Sequence, residues 1–204
     1  MVSQTRNRHT KEDTMALTQP IRNPKDVQKF LNYFKSQNQP RNYVLATLGV
    51  YTALRISDIL NLSCDDVYNF KKSTINKSIT IVEKKSKKLK TIALNKKVID
   101  ALKSYLPEAE QGKPLILNPK TDKSISRIQA YRIIRTAAEA VGIDFNVSCH
   151  SLRKTFGYCA WQNGVSPVVL MDIYNHSSMA ITQRYLGVAQ DDLNAVYMGL
   201  KFNS

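Results

Sequence analysis

The sequence predicts a mostly helical α+β domain with one small antiparallel β-hairpin sheet on its side. Three observations support this. Apolar residues recur at helical spacing through most of the chain. One stretch, Ser78 to Leu94, switches to a period of two. The 204 residues, 43% hydrophobic and 23% charged, are enough to close a core without disulfide or metal staples and exclude wholesale disorder.

Residues 1–23 carry Arg6, Arg8, Lys11 and Arg22 without sustained periodicity, which predicts a basic flexible arm. A single folded domain is then expected over 24–204. Asn23-Pro24 is a helix start, because Asn accepts from the first free amides and Pro suits the first turn. Val27, Phe30, Leu31 and Phe34 follow on one face. From Arg41 to Leu54 the chain is apolar nearly all round, as a helix at the centre of a fold must be, and it runs directly into Arg55. Ser57 and Ser63 can each cap a short turn, and Asp66-Val67-Tyr68 is expected to add a short strand. Two antiparallel strands follow within Ser78–Leu94, joined by a lysine-laden turn. Asn95 caps a helix with Val98, Ala101, Leu102 and Tyr105 on one side, and Pro107 to Pro119 is a loop. Ser126 opens a helix (Ile128, Tyr131, Ile134, Ala138, Val141) that Gly142 stops. Ser148 opens another that closes at Gly164, Ser166-Pro167 a third through Tyr174. A short helix is expected around Ile181, and a last one over 190–202.

Lys+Arg number 30 against 16 Asp+Glu, a net charge of +14 that favours a polyanionic partner, nucleic acid before an anionic membrane surface. No apolar run approaches the roughly 18–20 residues of a membrane span, and Met1 to Lys11 lacks the apolar stretch of a secretory signal. Cys64, Cys149 and Cys159 are odd in number and contain no CxxC pair, which suits free thiols in a reducing cytoplasm better than a disulfide framework or zinc module. Ten lysines and a single acid, Glu83, fall between Lys71 and Lys97. Edge protection accounts for some of these lysines; ten to one points to phosphate contact.

Four further pieces are ordinary one by one. Arg55 in ALRISD can simply pair with Asp58 on the next turn. His150 and Arg153 in HSLR share a helix face. His176 sits in YNHSS, and Tyr185 in RYLG follows nine residues later; alone, such a tyrosine is most often a packed aromatic. Their order is not ordinary. Arginine, a lysine on a β-turn, HxxR, then histidine and tyrosine at that spacing resembles the catalytic set of the tyrosine recombinases, the phage-integrase and Xer family, over about residues 24 to 202. Arg55 matches the first arginine, Lys85 the hairpin lysine with Lys84 and Lys87 close by, His150 and Arg153 the HxxR pair, His176 the second histidine and Tyr185 the nucleophile. Tyr174-Asn175 stands where Leu-Gly is common, and Asn can take the left-handed backbone that Gly supplies.

The resemblance implies a site-specific DNA recombinase that cuts a strand by tyrosine attack on phosphate. A 3′-phosphotyrosyl link and a free 5′-hydroxyl result, with no metal and no cofactor, for DNA integration, excision or inversion in a bacterial or phage setting. Arg55 and Arg153 would hold the non-bridging oxygens, Lys85 would protonate the departing oxygen, His150 would assist proton movement and His176 would donate a hydrogen bond to phosphate. Lys84, Lys87, Lys88 and Lys90 would bind the DNA backbone. Leu193, Val196, Tyr197 and Leu200 form an apolar stripe, and in this family a final helix is donated to a neighbour, so double-stranded DNA and self-association to a tetramer on paired sites are the implied partners. Only about two dozen residues precede the first expected helix, too few for the separate DNA-clamping domain usual in integrases, so the chain is expected to be either a catalytic-domain fragment or one of the minimal recombinases such as the invertases. Three other readings are a type IB topoisomerase, which would relax supercoils without exchange, a non-catalytic DNA-binding regulator, which could dispense with Tyr185, and an RNA-binding domain, which would need stacking aromatics the hairpin lacks.

Overall fold

The computed structural model describes residues 18–83, 87–106, 110–187 and 197–200. Its first helix, α1 (Pro24–Ser36), begins as its sequence dictates: the Asn23 side chain accepts from the Lys25 amide, and Val27, Phe30, Leu31 and Phe34 turn inward. The buried face meets α2 (Pro40–Tyr51), in which every residue from Asn42 to Val50 is buried. This helix is the hub of the fold and packs against α1, α5 (Lys96–Lys103) and α7 (Cys149–Gln162).

Helix α2 stops at Tyr51, short of the Leu54 expected from apolarity. The Thr52 hydroxyl bonds back to the Leu48 carbonyl at 2.6 Å, and Ala53 takes a left-handed backbone with φ of 54°. A polar side chain competing for a helical carbonyl and a reversed residue end the helix together. Arg55 is therefore not its last residue but the extended N-cap of α3 (Ile56–Ile59).

A second difference concerns the strand expected at Asp66-Val67-Tyr68. Asp66 accepts from both the backbone and hydroxyl of Ser63, completing a capping box that winds Cys64–Val67 into the short helix α4. The strand starts one residue after this turn, β1 (Tyr68–Asn69), and pairs with β2 (Thr74–Ile75) in a sheet of its own. The main hairpin forms as expected: β3 (Ser78–Val82) runs antiparallel to β4 (Leu89–Ala93), with Ile79 opposite Ile92. Helix α5 carries the Asn95 cap, which accepts from the Val98 amide at 3.0 Å. The chain expected as loop ends in a small hairpin, β5 (Leu117–Asn118) with β6 (Lys123–Ser124).

Helix α6 (Arg127–Ala140) opens with the Ser126–Gln129 capping box. It buries Ala130, Ile134, Ala137 and Ala138, while Ile128, expected on the inner face, is exposed. The alanines let α6 approach closely, so packing rather than side-chain size selects the face. Helices α7, α8 (Pro167–Tyr174) and α9 (Met179–Leu186) follow, each capped by a serine (148, 166 and 178).

Two apolar clusters result. The large one spans α1 to α7, and the small one gathers Ala53, Leu170, Tyr174 and Leu186 from three segments, the turn after α2, α8 and α9. Within the basic arm, residues 18–23 lie against α7: Ile21 is buried and donates its N–H to Thr155 Oγ1 at 2.8 Å, and Arg22 lies 5.0 Å above the Tyr158 ring and donates to the Gly187 carbonyl. Residues 1–17 and most of the helix expected over 190–202 lie outside the described residues; Tyr197 to Gly199 form a helical turn with Tyr197 and Met198 exposed. Among the described residues, no helix is long and apolar enough to cross a membrane.

Candidate active site

The small cluster is the floor of the site. Arg153 rises from the second turn of α7, whose start is fixed by Ser148 accepting from the His150 and Ser151 amides. Its guanidinium is almost fully buried and ties two chain segments together, donating to the Ala53 carbonyl and, at 3.5 Å, to the Tyr174 carbonyl. Ala53 presents that carbonyl because its backbone is reversed, a conformation glycine would take without strain. The Tyr174 ring lies 4.7 Å beneath the guanidinium, and its hydroxyl donates to the Arg153 carbonyl at 2.8 Å. One aromatic residue thus holds this arginine through cation–π contact and through the backbone.

Tyr185, on α9, packs into the same pocket. Its ring centroid is 5.0 Å from His150, 5.0 Å from His176 and 4.8 Å from Tyr174, and Lys154 Nζ lies 5.4 Å from its centre. The hydroxyl is buried beside the Arg153 guanidinium and makes no well-formed hydrogen bond among the described residues. Burial pushes its pKa up to about 12, against the pull of the Arg153 and Arg55 charges. A buried donor without a well-formed bond is costly. Here it is the oxygen expected to attack, held among cations that would stabilise its anion.

His176 follows Asn175, which takes the left-handed backbone (φ 54°) anticipated for the residue standing in for glycine. The imidazole stacks on Tyr174 and its Nδ1 meets Thr182 Oγ1 at 3.1 Å, fixing the ring against α9. His150 leaves an exposed edge, yet the rest of its ring is desolvated and faces Lys154, Arg153 and Arg55, which together depress its pKa to about 4. That shift favours the neutral ring, and an anion entering the site would oppose it.

Arg55 completes the cationic wall. Its Nη1 is 3.1 Å from Glu83 Oε1, a partner 28 residues away at the end of β3, rather than the Asp58 pairing one turn on that the sequence suggested. Lys90 was placed by the sequence among the DNA-facing lysines. The alternation of β4 instead puts it on the same face as Ile92, half-buried, with Nζ 2.6 Å from the Ile173 carbonyl and 3.9 Å from Glu83. Burial lowers its pKa, Glu83 opposes that shift, and Arg153 and Arg55 reinforce it. Lys87 and Lys88 are exposed, Lys88 reaching Asn175 Oδ1 at 3.0 Å. Lys84 and Lys85 lie outside the described residues.

Arg55, His150, Arg153, His176 and Tyr185 are therefore brought together from α3, α7, the α8–α9 turn and α9. Sequence reasoning missed three neighbours. Lys154 was hidden as one more lysine, and Tyr174 showed only as a departure from the common leucine. Glu83 was visible as the lone acid among ten lysines, a signal read as incidental. No group of three His, Cys, Asp or Glu among the described residues is placed to hold a metal ion.

The phage integrase family model matches residues 22–191. The chain belongs to that family. A probable integrase/recombinase of Bacillus subtilis, YoeC, is 38% identical over 183 residues, covering 90% of this chain and 97% of YoeC. The XerD tyrosine recombinase of Corynebacterium glutamicum is 29% identical and this chain spans about half of its length, 52%. Among solved structures, the XerA recombinase superposes with a TM-score of 0.73 at 21% identity over 93% of this chain and 66% of XerA. The catalytic domain of the bacteriophage HP1 integrase gives 0.60 at 20% identity, covering 89% of this chain and 94% of that domain. The mostly helical architecture with small antiparallel sheets is thus that of a tyrosine recombinase catalytic domain.

Proposed function

We propose that this integrase-family chain breaks and rejoins DNA strands at specific sites through a 3′-phosphotyrosyl intermediate on Tyr185. The observation that carries this is the convergence of Tyr185 with His150, His176 and Arg153, its hydroxyl buried beside the arginine charge. In the proposed reaction a phosphodiester enters between Arg55 and Arg153, whose planar forks hold both non-bridging oxygens as charge grows in the pentavalent transition state. The Tyr185 oxygen attacks phosphorus as it loses its proton, with the neutral His150 ring 5.0 Å away available to take it. His176 donates to a phosphate oxygen. The 5′ oxygen leaves with a proton from Lys85 on the hairpin turn. The phosphodiester's energy stays in the tyrosyl ester, so a second 5′-hydroxyl can reverse the step and exchange strands.

Lys87 and Lys88, exposed beside this turn, support backbone contact with double-stranded DNA. Two structures of the XerH recombinase, which superpose with TM-scores of 0.70 and 0.67, hold its difH substrate. A cytoplasmic location and use in integration, excision or inversion belong to the same proposal. The exposed Tyr197, Met198 and Leu200 support a last helix donated to a second copy, giving tetramers on paired sites. Removing residues 190–204 should leave DNA binding within about twofold and abolish pairing of sites in a gel-shift assay; pairing by the truncated chain contradicts the donation.

The experiment for the reaction itself is a trap. A nicked, labelled duplex library loses a short fragment on cleavage, so the protein stays esterified to DNA and runs as a slow band under denaturing conditions. No band at any site contradicts the proposal. Supercoil relaxation without exchange between two sites favours the topoisomerase reading.

A further inference from the structure

Glu83 is the one acid in a run of ten lysines, and its side chain is 3% exposed. A carboxylate so buried needs cationic partners, and it has them in Arg55 Nη1 at 3.1 Å and Lys90 Nζ at 3.9 Å. The Glu83 contact is the only hydrogen bond of the Arg55 guanidinium among the described residues. Glu83 also marks the mouth of the hairpin turn: its N–H donates to the Lys88 carbonyl at 2.9 Å and its carbonyl accepts from Lys87 at 2.8 Å, with Lys87 in the left-handed region at φ 60°. The start of β4 is joined to the end of α8 by Lys90 on the Ile173 carbonyl and by Lys88, just before the strand, on Asn175. Carboxylate and phosphate oxygens present the same kind of acceptor to a guanidinium fork.

We propose that Glu83 is an internal anion that occupies Arg55 in the DNA-free protein and competes there with the incoming phosphate. This deepens the phosphotyrosyl reading, on which its meaning for recombination rests. Two like charges cannot share one guanidinium cheaply. Phosphate arrival must therefore displace the Glu83 carboxylate from Arg55, and the affinity of the site for phosphate is lowered by that competition.

The test uses inorganic phosphate as the probe on the full chain at fixed ionic strength, with binding followed by calorimetry, so it needs neither a cognate DNA site nor cleavage. Glu83→Gln keeps an oxygen for Arg55 and removes the charge; phosphate should bind roughly tenfold tighter. In an Arg55→Gln background the same change should have less than about a twofold effect, which separates this site from the surface lysines. Unchanged or weaker binding by Glu83→Gln overturns the proposal, as does a gain that persists without Arg55. If Glu83→Gln does not fold, Glu83→Asp carries the comparison: its shorter arm cannot hold Arg55 as closely, and phosphate should again bind tighter than in the unsubstituted protein. Failure to trap a tyrosyl adduct leaves these binding results standing, so the two readings fail separately.

Discussion

Replacing Arg153 by lysine is expected to reduce strand cleavage by about 10²–10³-fold while changing DNA affinity by no more than about threefold. The charge survives this substitution and the geometry does not. Arg153 uses its fork to donate to the carbonyls of Ala53 and Tyr174 while lying over the Tyr174 ring. A lysine ammonium is a point charge on a flexible stem, and it cannot bridge two carbonyls and still face a phosphate. In the proposed function, binding falls mainly to the many surface lysines, so it should be spared. Single-turnover cleavage at saturating DNA, beside a gel-shift titration, separates the two quantities. Equal losses in both would assign Arg153 to DNA affinity and remove it from the transition state.

Gly157→Ala should be nearly as damaging, without touching any reacting group. Gly157 lies in α7 one turn beyond Arg153, and a Cβ there would sit 2.8 Å from Tyr174 Cε2 and closer still to the Tyr174 hydroxyl and Leu186. All of these are buried, so room can be made only by moving Tyr174 or α9. Overpacking of this kind costs about 1–3 kcal/mol, or about 2–4 °C of Tm for each kcal/mol in a chain of this size. The same displacement breaks the Tyr174–Arg153 hydrogen bond and shifts the helix that carries Tyr185. A thermal melt and the cleavage assay should therefore both fall. Restoring space with the double variant Gly157→Ala and Tyr174→Leu should recover Tm more than activity, because the shelf under Arg153 stays lost.

The local determinants of the fold were legible in the chain. The caps at Asn23, Asn95, Ser126, Ser148 and Ser166 each accept the amide hydrogen bond that their sequence position implies. The hairpin of Ser78–Val82 with Leu89–Ala93 follows from its period of two, and the left-handed Asn175 from asparagine's tolerance of that backbone. Less legible was anything set by competition between neighbours. The end of α2 depends on Thr52 capturing the Leu48 carbonyl, and the turn at Cys64–Val67 on Asp66 being used as a cap instead of a strand residue. The exposure of Ile128 depends on alanines on the opposite side admitting a close neighbour.

For the site, motif order brought Arg55, His150, Arg153, His176 and Tyr185 into view. Order alone does not show that Arg153 is pinned by Tyr174, that Lys154 lies over the Tyr185 ring, or that Arg55 is held by Glu83. Such pairings join residues 21 to 31 positions apart, and long-range contacts of charged groups leave no periodic trace. Lys90 illustrates this: the alternation of β4 turns it inward toward Glu83, which a count of lysines does not reveal.

The most direct measurement is to locate the covalent bond. The trapped protein–DNA complex is digested with protease and nuclease, and the peptide that keeps a nucleotide is sequenced by mass spectrometry. The modified residue should be Tyr185, joined to a 3′-phosphate, and Tyr185→Phe should bind DNA normally and yield no adduct at all. A nucleotide on any other side chain, or an adduct that survives Tyr185→Phe, would contradict the assignment of the nucleophile and with it the roles given to the cations around it.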